Sequence, residues 1–205
     1  MIPKKVAYLT PLFYEQRPSE DRGRSWMLAL AQSVTQASHG SWQVEVISYG
    51  ESPFQEILQP GVTLRILPAV RQPTVPWDVL SWELPEVLAQ ADLVHIYDMH
   101  TRSGEMGLLV AKLLRKPICV SDLSNTSSSL GMDLQIATLA DRLIPLSEDG
   151  WPGLESSEAP AEAPSSLLAR PGLRRLSPGH PDESTGARLL AIYQDLVAGA
   201  KGVAA

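Results

Sequence analysis

Three short polar stretches carry most of the side chains able to do chemistry. Tyr14, Arg22 and Arg24 fall within residues 12–24, Asp98, His100 and Arg102 within 98–102, and Asp122, Asn125 and Ser127 within 122–129. A guanidinium fork chelates phosphate or carboxylate oxygens, while carboxylates, amides and hydroxyls exchange hydrogen bonds with sugar hydroxyls. The set therefore suits a sugar or a phosphate. Loops collect polar residues for solubility as well, so no single member decides the matter. Asp98 and His100 bracket Met99 and can form a carboxylate–imidazole base. Residues two apart share a face without necessarily meeting, which equally fits a solvated or hydrogen-bonded histidine. The run Ser124–Ser129 can offer N–H groups and hydroxyls to an anion, or simply cap a following helix. Trp77, Trp82 and Trp151 can stack on sugar rings, although scattered aromatics need no such role.

Other reactive residues point to structure. His95 lies inside a strand pattern, and His39 and His180 sit in turn-like contexts. Cys119, flanked by Ile118 and Val120, reads as a buried strand thiol. A single cysteine excludes an internal disulfide and any Cys-based zinc cluster. No G-x-G-x-x-G fingerprint, phosphate loop, metal motif or catalytic-triad spacing is present, so neither a cofactor nor a metal is expected.

The elements that must position these residues alternate along the chain. Residues Lys5–Leu12, Gln43–Tyr49, Thr63–Pro68, Leu93–Tyr97, Pro117–Asp122 and Leu143–Leu146 read as strands, several of them near-continuous apolar runs as in covered parallel sheets. Helices are expected over Ser25–Ala37, Trp77–Ala91, Ser103–Lys116 and Leu130–Asp141. The Ser103–Lys116 segment has Ser103 to cap it, Glu105 in its first turn and Lys112, Arg115 and Lys116 in its last, signs that complement the helix dipole. Its apolar stripe is Met106, Leu109, Val110, Leu113 and Leu114, and Pro117 stops it. Such alternation implies right-handed crossovers and an α/β, Rossmann-like doubly wound parallel sheet of about six strands with helices on both faces. Ligands then bind beyond the carboxyl ends of the strands, where the three polar stretches lie.

Composition changes after Gly150. Residues 151–183 are rich in Pro, Ser, Ala and Glu and read as a flexible linker, too poor in apolar surface to offset ordering entropy. Over 184–201, Leu189, Ile192, Tyr193, Leu196 and Val197 recur at helical spacing, and Gly199 ends the pattern. This amphipathic helix needs a surface to dock on, and the sheet domain of residues 1–150 is the nearest.

The chain has 205 residues, 44% hydrophobic and 20% charged, with a net charge of −6. That is enough to bury a core and fits one domain with appendages. The acidic balance argues against nucleic-acid binding, which relies on clustered Lys and Arg. The densest basic group, Arg170, Arg174 and Arg175, sits in the Pro-rich segment. The apolar run after Lys4 and Lys5 is too short for a signal peptide or a transmembrane segment, making a cytoplasmic location the expectation.

Taken in order, these segments resemble the N-terminal, acceptor-side domain of family-4 GT-B glycosyltransferases. The resemblance rests on Lys5-Val6-Ala7-Tyr8-Leu9-Thr10-Pro11 with Gly23 and the Trp26–Val34 helix, on Ala91–Asp98, on Ala111–Asp122, on Leu139–Glu148, and on Ala187–Tyr193, which is similar to the family's returning C-terminal helix. Three family features are absent. The Pro-rich stretch stands where the donor-binding domain would be, Glu20–Arg24 holds one glycine in place of a pair, and Ser121-Asp122-Leu123-Ser124-Asn125 lacks the histidine of a Thr-Asp-His-Gly-like turn. The resemblance thus implies a truncated glycosyltransferase-like module that does not transfer sugar alone. It implies a sugar or nucleotide-sugar ligand and, as partner, a donor-domain or full-length glycosyltransferase or a second copy in a homo-oligomer. The alternative is a non-catalytic scaffold binding a glycan or a protein on its exposed cleft face.

Overall fold

Strand β1 (Lys4–Leu9), buried from Val6 onward, is the central strand of a seven-stranded sheet. The structure, a computed structural model, describes residues 2–11, 21–70, 79–97, 101–122, 139–145, 181 and 183–202, with the backbone alone for 21–25, 122, 145, 183 and 201–202. Around β1 lie β2 (Trp42–Gly50), β3 (Phe54–Gln59), β4 (Val62–Pro68), β5 (Leu93–Tyr97), β6 (Ile118–Asp122) and β7 (Arg142–Pro145), in the order β3-β4-β2-β1-β5-β6-β7. All neighbouring pairs are parallel except β3 with β4.

The six expected strands are present with their ends moved by a few residues, and β3 is an addition. Its sequence, between Pro53 and Pro60, shows no alternation because neither face is covered: Ile57 is 76% and Phe54 44% exposed. A register shift between Ile57 and Gln59 marks this edge, a bulge of the kind that discourages further strand pairing.

Helix α1 (Asp21–Ala37) starts earlier than the expected Ser25, so Arg22 and Arg24 belong to its first turn rather than to a loop. Helix α2 (Leu84–Ala89) is much shorter than Trp77–Ala91; Pro85 sits in its first turn, where a missing N–H costs nothing. Helix α3 (Arg102–Leu113) begins one residue before the expected Ser103, and its cap is Thr101, whose hydroxyl accepts from the Gly104 N–H at 3.1 Å. Arg102 is thus its first residue, not a loop residue. The buried face of α3 runs through Gly104, Gly107, Leu108 and Ala111, leaving Leu113 83% exposed against expectation. Small residues decide this face: a Cβ on Gly107 would collide with the Leu9 side chain, so α3 lies close upon β1. Of the expected Leu130–Asp141 helix, only 139–141 are described, and they lead into β7 without forming α-helix.

Helix α4 (Glu183–Gly202) runs through Gly199 and docks along α1. Leu189, Leu190, Tyr193 and Val197 enter the core formed by α1 with Val6, Tyr8 and Val44 of the sheet. At roughly 1.5–3 kcal/mol per large apolar side chain buried, this packing outweighs what helix propensity alone contributes. The second core lies under α2 and α3, joining Leu84, Leu88 and Leu108 to Leu9, Ile47, Val94 and Ile96. Residues 146–150 and most of 151–183, the expected linker, lie outside the described residues. Among the described residues, no helix is long and apolar enough to cross a membrane.

Candidate functional site

The chain steps from β1 to β2 on one side and later places β5 on the other, so the strand order reverses between β1 and β5. At such a reversal the loops leaving two adjacent strands diverge to opposite faces and open a crevice. Leu9 pairs with Ile96, and Tyr97 pairs with Ser121, which sets the carboxyl ends of β1, β5 and β6 side by side. The next residues along two of these strands are Asp98 and Asp122.

Each polar stretch singled out in the sequence leaves from this end of the sheet. The backbone of Asp122 closes β6, and Arg22, Arg24 and Arg102 occupy the first turns of the helices that follow β1 and β5. Tyr14, Asp98, His100, Asn125 and Ser127 lie outside the described residues, as do Trp77 and Trp151. Trp82, in the turn before α2, is 82% exposed. That turn is held by the Ser81 hydroxyl accepting from the Glu83 N–H at 3.3 Å and by the Val70 N–H donating to the Leu80 carbonyl at 2.9 Å.

The start of α3 is the best-defined part of the site. Thr101 and Ser103 hydroxyls lie 3.1 Å apart, both buried, and the Glu105 N–H donates to the Thr101 carbonyl at 2.9 Å. Glu105 is only 1% exposed in the first turns, where a carboxylate complements the helix dipole. Thr101 and the burial of Glu105 were not anticipated. Thr101 and Ser103 are both capping residue types, and only tertiary packing, which puts Ser103 inside the helix, separates them.

Behind these strand ends lies a buried polar cluster. His95 Nδ1 is 2.6 Å from the Tyr193 hydroxyl and 3.2 Å from that of Tyr97, and Nε2 is 2.8 Å from Ser121 Oγ. The Tyr193 hydroxyl donates to that of Tyr8 at 3.0 Å. The tautomer that satisfies these groups carries its proton on Nδ1, donating to the Tyr193 oxygen, while Ser121 donates to Nε2. The His95 and Tyr97 rings stack at 4.2 Å. Burial pushes the His95 pKa down to about 3, so the ring is neutral at ordinary pH, and burial raises those of Tyr8, Tyr97 and Tyr193. With both nitrogens engaged, His95 is structural, as its strand position suggests. Cys119 is also buried, which pushes its thiol well above the ordinary value and denies it nucleophilic character.

An ionic feature lies on the α2/α3 side of the sheet. Glu45, 3% exposed in its side chain, sits between Lys5 Nζ at 3.0 Å and Arg65 Nε at 2.7 Å, the latter close but out of line for a hydrogen bond. Two cations offset the desolvation of one carboxylate. Its place near the amino-terminal half of β1 separates it from the crevice. Among the described residues, no group of three or more His, Cys, Asp or Glu is arranged to hold a metal.

No protein-family model matches the chain, and no curated protein matches it. Among the solved structures similar to it are the following two. MurG of Acinetobacter baumannii aligns at 14% identity and a TM-score of 0.41, over 70% of this chain and 41% of MurG. DNA processing protein A of Helicobacter pylori, described for its single-stranded DNA binding mode, aligns at 16% identity and a TM-score of 0.36, over 69% of this chain and 75% of that one. The chain spans less than half of the MurG chain. At these identities and TM-scores, no residue role passes from either protein to this one.

Proposed function

We propose that this chain is a glycosyltransferase-like, acceptor-side module that binds a sugar or nucleotide-sugar at the carboxyl ends of β1, β5 and β6 and acts with a partner that supplies the donor-binding half. The observation that carries the reading is the reversal of strand order between β1 and β5, since it opens a crevice at the end of the sheet from which the chain leaves β1, β5 and β6. The ordered resemblance of the segments to family-4 GT-B enzymes supports the sugar as ligand and the cytoplasm as location. Arg22, Arg24 and Arg102 are assigned to the anionic part of the ligand, and Asp98, Asp122 and Ser127 to its hydroxyls. The partner is a donor-domain or full-length glycosyltransferase, or a second copy of the chain.

The test is a thermal-shift and calorimetric panel of nucleotide-sugars and oligosaccharides against the purified chain, since a ligand binding only the folded state raises Tm. A shift lost in Arg102→Ala supports the reading, and a flat response across the panel overturns it. A flat panel together with a stable complex with another protein supports the scaffold instead. That second reading draws on the exposed Trp82 at the same end of the sheet, a residue type enriched at protein interfaces.

A further inference from the structure

Helix α4 comes from the far end of the chain, yet its Tyr193 hydroxyl reaches the middle of the sheet. It meets His95 at 2.6 Å across 98 positions of sequence and Tyr8 at 3.0 Å across 185. From His95 the contacts continue outward, to Tyr97 on the same strand and to Ser121 on β6. Tyr97 is the last residue of β5, and Ser121 is followed only by Asp122 in β6. All five side chains are wholly buried, so no water replaces a partner that leaves.

We propose that Tyr193 is a positioning residue for the candidate site, holding the carboxyl ends of β5 and β6 through His95, so that docking of α4 and order at those strand ends are coupled. Tyr193 supplies the acceptor that fixes the His95 ring, and the ring in that pose takes the Ser121 proton on Nε2. Withdrawal of the Tyr193 hydroxyl leaves Nδ1 only the longer contact to Tyr97 at 3.2 Å, which loosens the ring and with it the Ser121 bond at the point where Asp122 follows. Such coupling is reciprocal: whatever orders the strand ends also favours a docked α4. The relay itself stands on these contacts, and only its consequence for a ligand rests on the reading proposed above.

Hydrogen exchange of the 205-residue chain tests it without any ligand, so a negative sugar panel and a negative result here are separate outcomes. Tyr193→Phe removes one oxygen and keeps the ring in the core. It is expected to speed exchange at least tenfold in peptides covering 93–105 and 118–122, with β2 and β4 unchanged. Val197→Ala, on the same docking face but outside the relay, is expected to speed exchange in α4 and α1 alone. An effect of Tyr193→Phe confined to α4, or one indistinguishable from that of Val197→Ala, overturns the proposal. Ser121→Ala probes the relay from its other end and stands in if Tyr193→Phe does not fold. Faster exchange around Tyr193 is expected there, and an unchanged α4 overturns the proposal.

Discussion

Gly186 of α4 lies so close to the Ser33 carbonyl of α1 that a methyl group has no place between the two helices. The Ser33 hydroxyl is turned back onto the Leu30 carbonyl of its own helix at 2.9 Å, which keeps it out of the crossing. The contact fixes where α4 meets the sheet domain and hence where Tyr193, two helical turns on, enters the core.

Gly186→Ala should therefore destabilise the protein although alanine is the better helix former. Overpacking against backbone costs about 1–3 kcal/mol, more than the roughly 1 kcal/mol that the propensity change returns. Gly199 supplies the control, since nothing lies within 4 Å of a Cβ built there. Gly199→Ala should stabilise by up to about 1 kcal/mol. Urea melts of the two variants check the opposite signs.

Asp92 and Asp141 form a second pair of related contacts. Asp92 accepts from the Lys5 N–H at 2.8 Å and returns its own N–H to the Lys5 carbonyl at 2.8 Å. Asp141 does the same with Ile118, at 2.8 and 3.0 Å. Each carboxylate thus supplies the ladder partner that the neighbouring strand would otherwise lack at its amino end. Alanine at either position should cost about 1–2 kcal/mol, whereas asparagine, which keeps an acceptor oxygen, should recover most of it. Chemical denaturation of the four variants decides, and equal losses for Ala and Asn would refute the hydrogen-bond account.

What could be read ahead of the structure follows from how local each signal is. Strand β5, Leu93–Tyr97, was placed to the residue because both of its faces are buried and its apolar run is unbroken. Helix α4 and its docking were foreseen from the spacing of Leu189, Tyr193 and Val197. Strand β3 was not, since a strand exposed on both faces carries no periodic pattern. The start of α3 turned on choosing between Thr101 and Ser103, which local sequence cannot do. The Tyr193–His95 contact was beyond reach, because nothing in either local sequence encodes a partner 98 positions away. Of the candidate site, the sheet end was foreseeable from the alternation of strands and helices, while five of its nine residues lie outside the described structure.

Arg115, just past α3, adopts φ +54°, and its N–H donates to the Lys112 carbonyl at 3.0 Å. A side chain in this left-handed conformation carries about 1–2 kcal/mol of strain, which glycine does not. The greater freedom of glycine in the unfolded chain removes about half of that gain. Arg115→Gly should therefore stabilise by several tenths to about 1 kcal/mol. The converse holds at Gly61, φ +82°, where Thr35 Cγ2 would lie 3.2 Å from an added Cβ, and Gly61→Ala should destabilise. Thermal melts of both variants test the assignment.

His95 titrates at about 3 in the folded chain, lowered by burial, against 6.5 when exposed. Between these values the unfolded state binds the extra proton, so stability falls as pH drops from 6.5 toward 3 and levels off below. The slope from this one group is about 1.4 kcal/mol per pH unit within that window. The groups facing the ring are Tyr193, Tyr97, Tyr8 and Ser121, with Cys119 on the adjoining strand, and burial keeps the tyrosines and the thiol neutral throughout this range. No carboxylate among them can rescue the imidazolium. His95→Gln, which retains one donor and one acceptor, should cost stability at pH 7 yet flatten the profile between pH 6.5 and 4. Urea melts across that range measure it, and a variant whose stability still falls as steeply as the wild type's would show that the acid sensitivity arises elsewhere.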